Sequence, residues 1–227
     1  MFRRPRCLIF AGSGGSGVMT AGTLLLDAAA KAGLYGIMVR TSGPQIRGGE
    51  AAALVRLSRR PVDSLDDAFD LLLAMDWQNV HRFADEIPLR ATSLVIGDAD
   101  EGDAPAVFAA GGARCMALPL KKTAKAISGS WVNMLALGLA GGLAGIPAAA
   151  LEAALRASWK RTEAGLLANL DALHKGLAEA QGITGMARLA PGAAATGSRW
   201  LISGNEAAGF GAIRAGAYDF ISKPIQV

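Results

Sequence analysis

Cys7-Leu8-Ile9-Phe10-Ala11, Gly12-Ser13-Gly14-Gly15-Ser16-Gly17 and Val18-Met19-Thr20-Ala21-Gly22 form the stretch whose reading decides the fold. A short apolar run, a glycine-rich bend and a helix uncharged until Asp27 make a strand–turn–helix unit. Glycine admits backbone angles closed to other residues, so the bend turns tightly and leaves N–H groups facing outward. At a helix N-terminus those donors and the helix dipole favour an anion, most often phosphate. Gly12, Gly14 and Gly17 fit G-x-G-x-x-G, a pattern that also occurs in turns holding no ligand. Two readings follow: Gly14, Gly15, Ser16 and Gly17 donate to a phosphate, or the bend only shapes the fold.

Working outward, the 227 residues suffice for one domain with a sizeable core and a small second piece. The chain is 52% hydrophobic with few aromatics, so Ala, Leu, Val and Gly must fill that core. Its formal charge of +4 comes from scattered residues such as Arg3-Arg4, Arg59-Arg60, Lys121-Lys122 and Lys160-Arg161. No basic run interleaved with aromatics occurs, which argues against nucleic acid as a partner. The two cysteines, Cys7 and Cys115, sit in apolar strand-like runs and suit a reducing compartment. Two thiols are too few for a four-cysteine iron–sulfur cluster. The apolar run near the N-terminus is shorter than a secretory core of ~7–15 residues. The apolar stretch Trp131–Ile146 is broken by Asn133 and glycines, so it reads as a buried helix, not a membrane span. The chain reads as cytoplasmic, with no membrane partner.

Beyond the helix of about Val18–Ala32, Gly33 marks a stop and Gly36–Thr41 reads as a second strand. The loop Ser42-Gly43-Pro44-Gln45-Ile46-Arg47-Gly48-Gly49-Glu50 follows, then strands at Ala51–Ser58, Asp70–Asp76, Ser93–Asp98 and Ala113–Leu118. Trp77–Glu86 has helical spacing. The expected fold is α/β: a three-layer αβα open, mostly parallel sheet. Helices at Lys121–Gly145, Ala148–Trp159 and Thr162–Ala180 close it, with Leu166, Leu170, Leu173 and Leu177 on one stripe of the last. Residues 183–198, rich in Ala, Gly, Thr and Pro, read as a linker between a domain at 1–182 and a short, truncated segment at 199–227.

A dinucleotide fold wants an acidic residue closing its second strand, and Arg40-Thr41-Ser42 stands there instead. Arg40 facing a 2′-phosphate keeps an NADP-dependent reductase as an alternative. No Gly-Lys-Ser/Thr follows the bend, so it is not a P-loop. The second loop is more unusual. Pro44 stiffens it, its glycine pair allows close approach, and Arg47 can aim a two-pronged donor at phosphate or carboxylate. Loops leaving the carboxyl ends of strands converge on one crevice, so this loop and the first bend can grip a single polyanion. A structural loop with Arg47 paired to a nearby acid is the alternative.

The first bend, the Gly43–Glu50 loop, Val55-Arg56-Leu57-Ser58, Asp70–Asp76 and Asn133 within Trp131–Gly138 together resemble a known family. They look like the gamma subunit, or gamma domain, of 2-oxoacid:ferredoxin oxidoreductases, over about Arg6–Gly182. The resemblance implies oxidative decarboxylation of a 2-oxoacid such as 2-oxoglutarate, transfer of the acyl group to coenzyme A, and ferredoxin as acceptor. It places thiamine diphosphate, magnesium and the iron–sulfur clusters on partner domains or a beta subunit, making this chain part of a hetero-oligomer. It makes Arg47, Gly48 and Gly49, with Asn133, coenzyme A contacts, beside Gly14, Gly15, Ser16 and Gly17. No residue of this chain is assigned to catalysis or to a metal, and the chain alone is expected to show no turnover.

Ile202–Gly216 resembles the opening of the alpha domain in enzymes of the 2-oxoglutarate type, where gamma and alpha are fused. The Tyr-Pro-Ile-Thr-Pro-like stretch of that domain is replaced by Ala217–Val227, whose Ser222-Lys223-Pro224 resembles the end of a response-regulator receiver domain. That tail is the basis of a third alternative, a non-enzymatic nucleotide-sensing module. Gly97-Asp98-Ala99 and Gly102-Asp103-Ala104 lack the third glycine of a thiamine motif and read as strand end and turn. His81 and His174 have no partners at metal-ligand spacing.

Overall fold

The computed structural model describes residues 4–43, 49–78, 80–190, 192 and 201–216. Six strands form one sheet: β1 (Arg6–Ser13), β2 (Tyr35–Ser42), β3 (Glu50–Ser58), β4 (Phe69–Ala74), β5 (Leu89–Asp98) and β6 (Arg114–Leu118). The helices are α1 (Val18–Lys31), α2 (Ala106–Ala109), α3 (Leu120–Lys125), α4 (Val132–Ala144), α5 (Ala148–Ser158), α6 (Glu163–Gly182) and α7 (Gly204–Arg214). The strand order is β2-β3-β1-β4-β5-β6. Pairings β1–β4, β4–β5 and β5–β6 are parallel, while β3 runs against both β1 and β2.

β1 lies inside the sheet, and side-chain alternation sends its residues to two different cores. Leu8 and Phe10 join the helical side with Leu25, Leu135 and Leu173, whereas Cys7, Ile9 and Ala11 face Leu72, Phe83 and Phe108. Burial on both faces explains the uninterrupted apolar run. The two covering layers are unequal. One holds α1, α4, α5 and α6, whereas the other is thin, built from the 3₁₀ turn Val80–Glu86 and the short α2. Trp77–Glu86 is therefore not the α-helix its spacing suggested.

The segment expected as one helix from Lys121 to Gly145 is two, α3 and α4, separated by residues 126–131. The fully buried Asn169 of α6 holds the break: its Oδ1 accepts from Trp131 N at 2.9 Å and its Nδ2 donates to Gly129 O at 3.3 Å. α4 and α6 then touch backbone to backbone, because a Cβ on Gly138 would lie 2.0 Å from Leu173 O. α4 is buried along nearly its whole length. Among the described residues no helix is long and apolar enough to cross a membrane.

The chain divides into two compact units, residues 1–194 and 195–227. The stretch read as a linker from residue 183 begins as packed chain. Leu189 is buried, its N–H donates to Ala144 O at 2.8 Å, and Ala187 O accepts from Arg6 Nε at 2.6 Å. Within the second unit, α7 starts on a capping box in which Ser203 and Glu206 each bond the other's backbone. Residues 217–227, which include the receiver-like tail, lie outside the described residues.

Candidate functional site

β1, β2, β4, β5 and β6 all point their carboxyl ends to one edge of the sheet. The chain leaves β1 toward β2 and β3 on one side and β4 lies on the other, so the crevice of an open α/β sheet falls at the end of β1. Three contacts fix the bend there. Ser13 N and Oγ donate to Asp76 Oδ2 at 3.0 and 2.8 Å, tying β1 to the end of β4. Ser16 N and Oγ return to Ser13 O at 3.0 and 2.7 Å. Gly14 N donates to Gly49 O at 2.6 Å, joining the bend to the loop that enters β3.

Gly17 ends the bend at φ 88°, the left-handed region that favours glycine, and α1 follows with no side-chain cap. The space its missing Cβ would fill belongs to Asn133, whose Nδ2 donates to Gly17 O at 3.3 Å. Asn133 lies in the first turn of α4, which also lacks a side-chain cap. Two helix N-termini, both from helices longer than three turns, thus meet across one asparagine. A cavity of about 520 Å³ opens there, walled by Gly15, Ser16, Gly17 and Asn133 from the predicted set. Thr20, Lys121, Lys125, Ser130 and Trp131 complete most of its lining. Two ammonium groups, that of Lys121 paired with Glu101, and two positive dipole ends give it a positive character.

Lys121 is placed by the carboxyl end of β5. The buried Asp98 caps the following turn through Asp100 N at 2.8 Å and accepts from Lys121 N. Gly97-Asp98-Ala99 is thus a strand end and turn. Burial alone would depress the Lys121 ammonium, but its hydrogen bond and attraction to Glu101 outweigh that and raise its pKa. Lys121 therefore keeps its positive charge throughout the neutral range.

Of the predicted residues, Gly14 and Gly49 bond each other and Gly49 is buried; Gly15, Ser16, Gly17 and Asn133 line the cavity. Arg47 and Gly48 lie outside the described residues. Lys121, Lys125 and Asn169 were missed. Lys121 follows a strand end and was open to the carboxyl-end rule, whereas nothing in the sequence marks Asn169 among the leucines of α6.

The topology bears on the dinucleotide alternative. β3 separates β2 from β1 and runs opposite, so the end of the second strand does not neighbour the bend as the fingerprint needs. Arg40, on the edge strand, donates to Thr23 Oγ1 at 3.4 Å. Among the described residues no group of three or more His, Cys, Asp or Glu could hold a metal ion.

Residues 7–179 match the family model described as pyruvate ferredoxin/flavodoxin oxidoreductase. The 2-oxoglutarate synthase subunit KorC of Methanothermobacter marburgensis is 36% identical over 90 residues, 39% of this chain and 48% of that protein. The 2-oxoglutarate:ferredoxin oxidoreductase of Magnetococcus marinus, solved with 2-oxoglutarate, coenzyme A and succinyl-CoA bound, superposes with a TM-score of 0.77 at 28% identity. That superposition covers 94% of this chain and 38% of the other. The keto/oxoacid ferredoxin oxidoreductase gamma subunit of Geobacter sulfurreducens shares the fold, with a TM-score of 0.62 at 24% identity over 78% of this chain and 99% of its own. The chain spans about half the length of the curated relative it matches, and less of the Magnetococcus chain.

Proposed function

We propose that this chain, which belongs to the pyruvate ferredoxin/flavodoxin oxidoreductase family, is the gamma-type part of a 2-oxoacid:ferredoxin oxidoreductase and holds coenzyme A by its phosphates. The observation that carries the reading is the cavity where the glycine bend, Asn133 and the N-terminus of α4 meet Lys121 and Lys125. The Magnetococcus relative, solved with coenzyme A bound, supports the choice of anion. In this reading the N–H groups of Gly15 and Gly17 and the two ammonium groups neutralise the diphosphate, while Ser16 N–H and Oγ hold the bend through Ser13 O. Asn133 sets the spacing of the two helix ends, and Arg47 and Gly48 are coenzyme A contacts on the strength of the family resemblance alone.

The reaction is the oxidative decarboxylation of a 2-oxoacid such as 2-oxoglutarate to its acyl-CoA, with electrons passing to ferredoxin. Thiamine diphosphate, magnesium and the iron–sulfur clusters belong to a beta subunit and to the rest of an alpha domain that residues 199–227 begin. This chain's own part is to bind and orient the thiol carrier. It takes no proton or electron.

The test is steady-state kinetics of the assembled enzyme carrying Lys121→Ala together with Lys125→Ala. The KM for coenzyme A should rise roughly tenfold, equivalent to about 1.4 kcal/mol, with kcat unchanged. An unchanged KM would remove coenzyme A from this cavity. A viologen dye reduced by the purified chain alone, with 2-oxoglutarate and coenzyme A, would overturn its role as a part without turnover of its own.

A further inference from the structure

Asp98 is fully buried at the end of β5, and its two oxygens hold two different stretches of backbone. Oδ1 accepts from Asp100 N at 2.8 Å and fixes the turn Ala99–Glu101. Oδ2 accepts from Lys121 N and fixes the start of α3. One buried carboxylate thus brings together two side chains 20 residues apart, those of Glu101 and Lys121. The Lys121 ammonium donates to Glu101 Oε1, and each of the two side chains is 31% exposed. Asp76 and Asp98 add their negative charge at the same ammonium. Lys125, in the lining of the same cavity, is exposed and among the described residues forms no ion pair.

The cavity therefore holds two cations of different standing. Lys125 is open to an incoming anion, whereas Lys121 is already neutralised by a carboxylate of its own chain. Residues four apart on a helix are neighbours, with Cβ atoms about 5–6 Å from each other, a span that two adjoining phosphates can bridge. An anion that engages both lysines must take the Lys121 ammonium from Glu101. An ion pair one-third open to water is weak, and a diphosphate offers the ammonium more negative charge than a carboxylate does. An anion carrying a single charge gains less from that exchange and is left with Lys125.

We propose that Glu101 sets the affinity and selectivity of this cavity: its carboxylate holds Lys121 until a ligand with adjoining phosphates displaces it. The proposal rests on the reading of the cavity as a phosphate seat and adds a resident competitor to it. Asp98 is the positioning residue, because it fixes both the turn that carries Glu101 and the backbone of Lys121. The arrangement costs the cavity some affinity for every anion and keeps carboxylates and chloride from filling it.

The experiment is calorimetric titration of the full chain with inorganic pyrophosphate, in wild type, Glu101→Gln, Lys121→Ala and the double variant. Asp100→Asn removes one negative charge from the same turn and controls for a general field effect. Circular-dichroism melts matching wild type certify the folds. Glu101→Gln should bind pyrophosphate about threefold or more tighter than wild type, and Asp100→Asn within about 1.5-fold of it. In the Lys121→Ala background the gain from Glu101→Gln should vanish. No gain in Glu101→Gln, a gain that survives without Lys121, or an equal gain in Asp100→Asn overturns the role of Glu101 and leaves the phosphate seat standing. Pyrophosphate that binds in the expected pattern but is not displaced by coenzyme A supports the role of Glu101 and removes the coenzyme from the cavity. Failure of all the proteins to bind pyrophosphate overturns both.

Discussion

Substituting alanine for Gly17 perturbs two things whose sizes can be worked separately. The backbone at φ 88° is left-handed, which costs a residue with a Cβ about 1–2 kcal/mol. The new Cβ would lie 2.3 Å from Asn133 Nδ2 and 2.5 Å from its Cγ. Overlap of that kind in a packed site costs roughly 1–3 kcal/mol. The total expected loss is about 2–5 kcal/mol. Asn133→Ala removes the two closest atoms and leaves only the asparagine Cβ, at 2.9 Å. In that background Gly17→Ala should therefore cost less, close to the backbone term of about 1–2 kcal/mol. Urea denaturation of the four proteins of the cycle, with m values compared, gives the coupling directly. A coupling of about 1–2 kcal/mol is expected. Losses that add to within about 0.5 kcal/mol would refute the claim that Gly17 and Asn133 occupy one another's space.

Other perturbations follow the same logic. Gly138→Ala would drive a Cβ to 2.0 Å from Leu173 O and part α4 from α6. The expected loss is about 3 kcal/mol, a drop in melting temperature of roughly 6–12 °C by calorimetry. Asn169→Leu strips the bonds that hold the turn before α4, so amides of residues 126–131 should exchange with solvent faster than in wild type. Burial pushes the Cys7 thiol up, and also that of the exposed Cys115. At pH 8 only Cys115 should react with a thiol reagent in the folded chain, and both after denaturation. The same shift means that folded Cys7 keeps its proton more tightly than the unfolded thiol. Its contribution is full below an unfolded pKa of about 8.5 and is lost as the pH rises beyond it. Cys7→Ala should flatten the fall of melting temperature above that pH, and an unchanged slope would contradict the sign.

The parts of the fold legible in the sequence were those written in local pattern. The apolar run Cys7–Ala11 and the glycines after it announced β1 and the bend, and α1 begins at Val18 as read. The leucine stripe of α6 was legible too, with Leu170 and Leu173 buried and Leu166 and Leu177 packed against them. The antiparallel run of β3 was not among the expectations, although the seven residues between β2 and β3 are too few for a parallel crossover. What the pattern did not carry was distant pairing. The break before α4 depends on Asn169, which follows Trp131 by 38 residues in the chain. Lys121 reaches the cavity because Asp98 holds its backbone, 23 residues earlier. Composition alone also ended the first unit too early, because the Ala- and Gly-rich stretch after Gly182 is anchored by Leu189 and by Arg6.

The central claim is that coenzyme A phosphates are held where the bend after β1 meets the start of α4. Backbone amide spectra of the isotopically labelled chain, recorded during titration with coenzyme A, test it most directly. Saturable shifts at Gly15, Ser16, Gly17 and Asn133 are predicted, lost on Lys121→Ala with Lys125→Ala. Shifts that leave those four amides still and gather instead around Gly145, Arg188 and Leu189, which line a separate cavity, would contradict it.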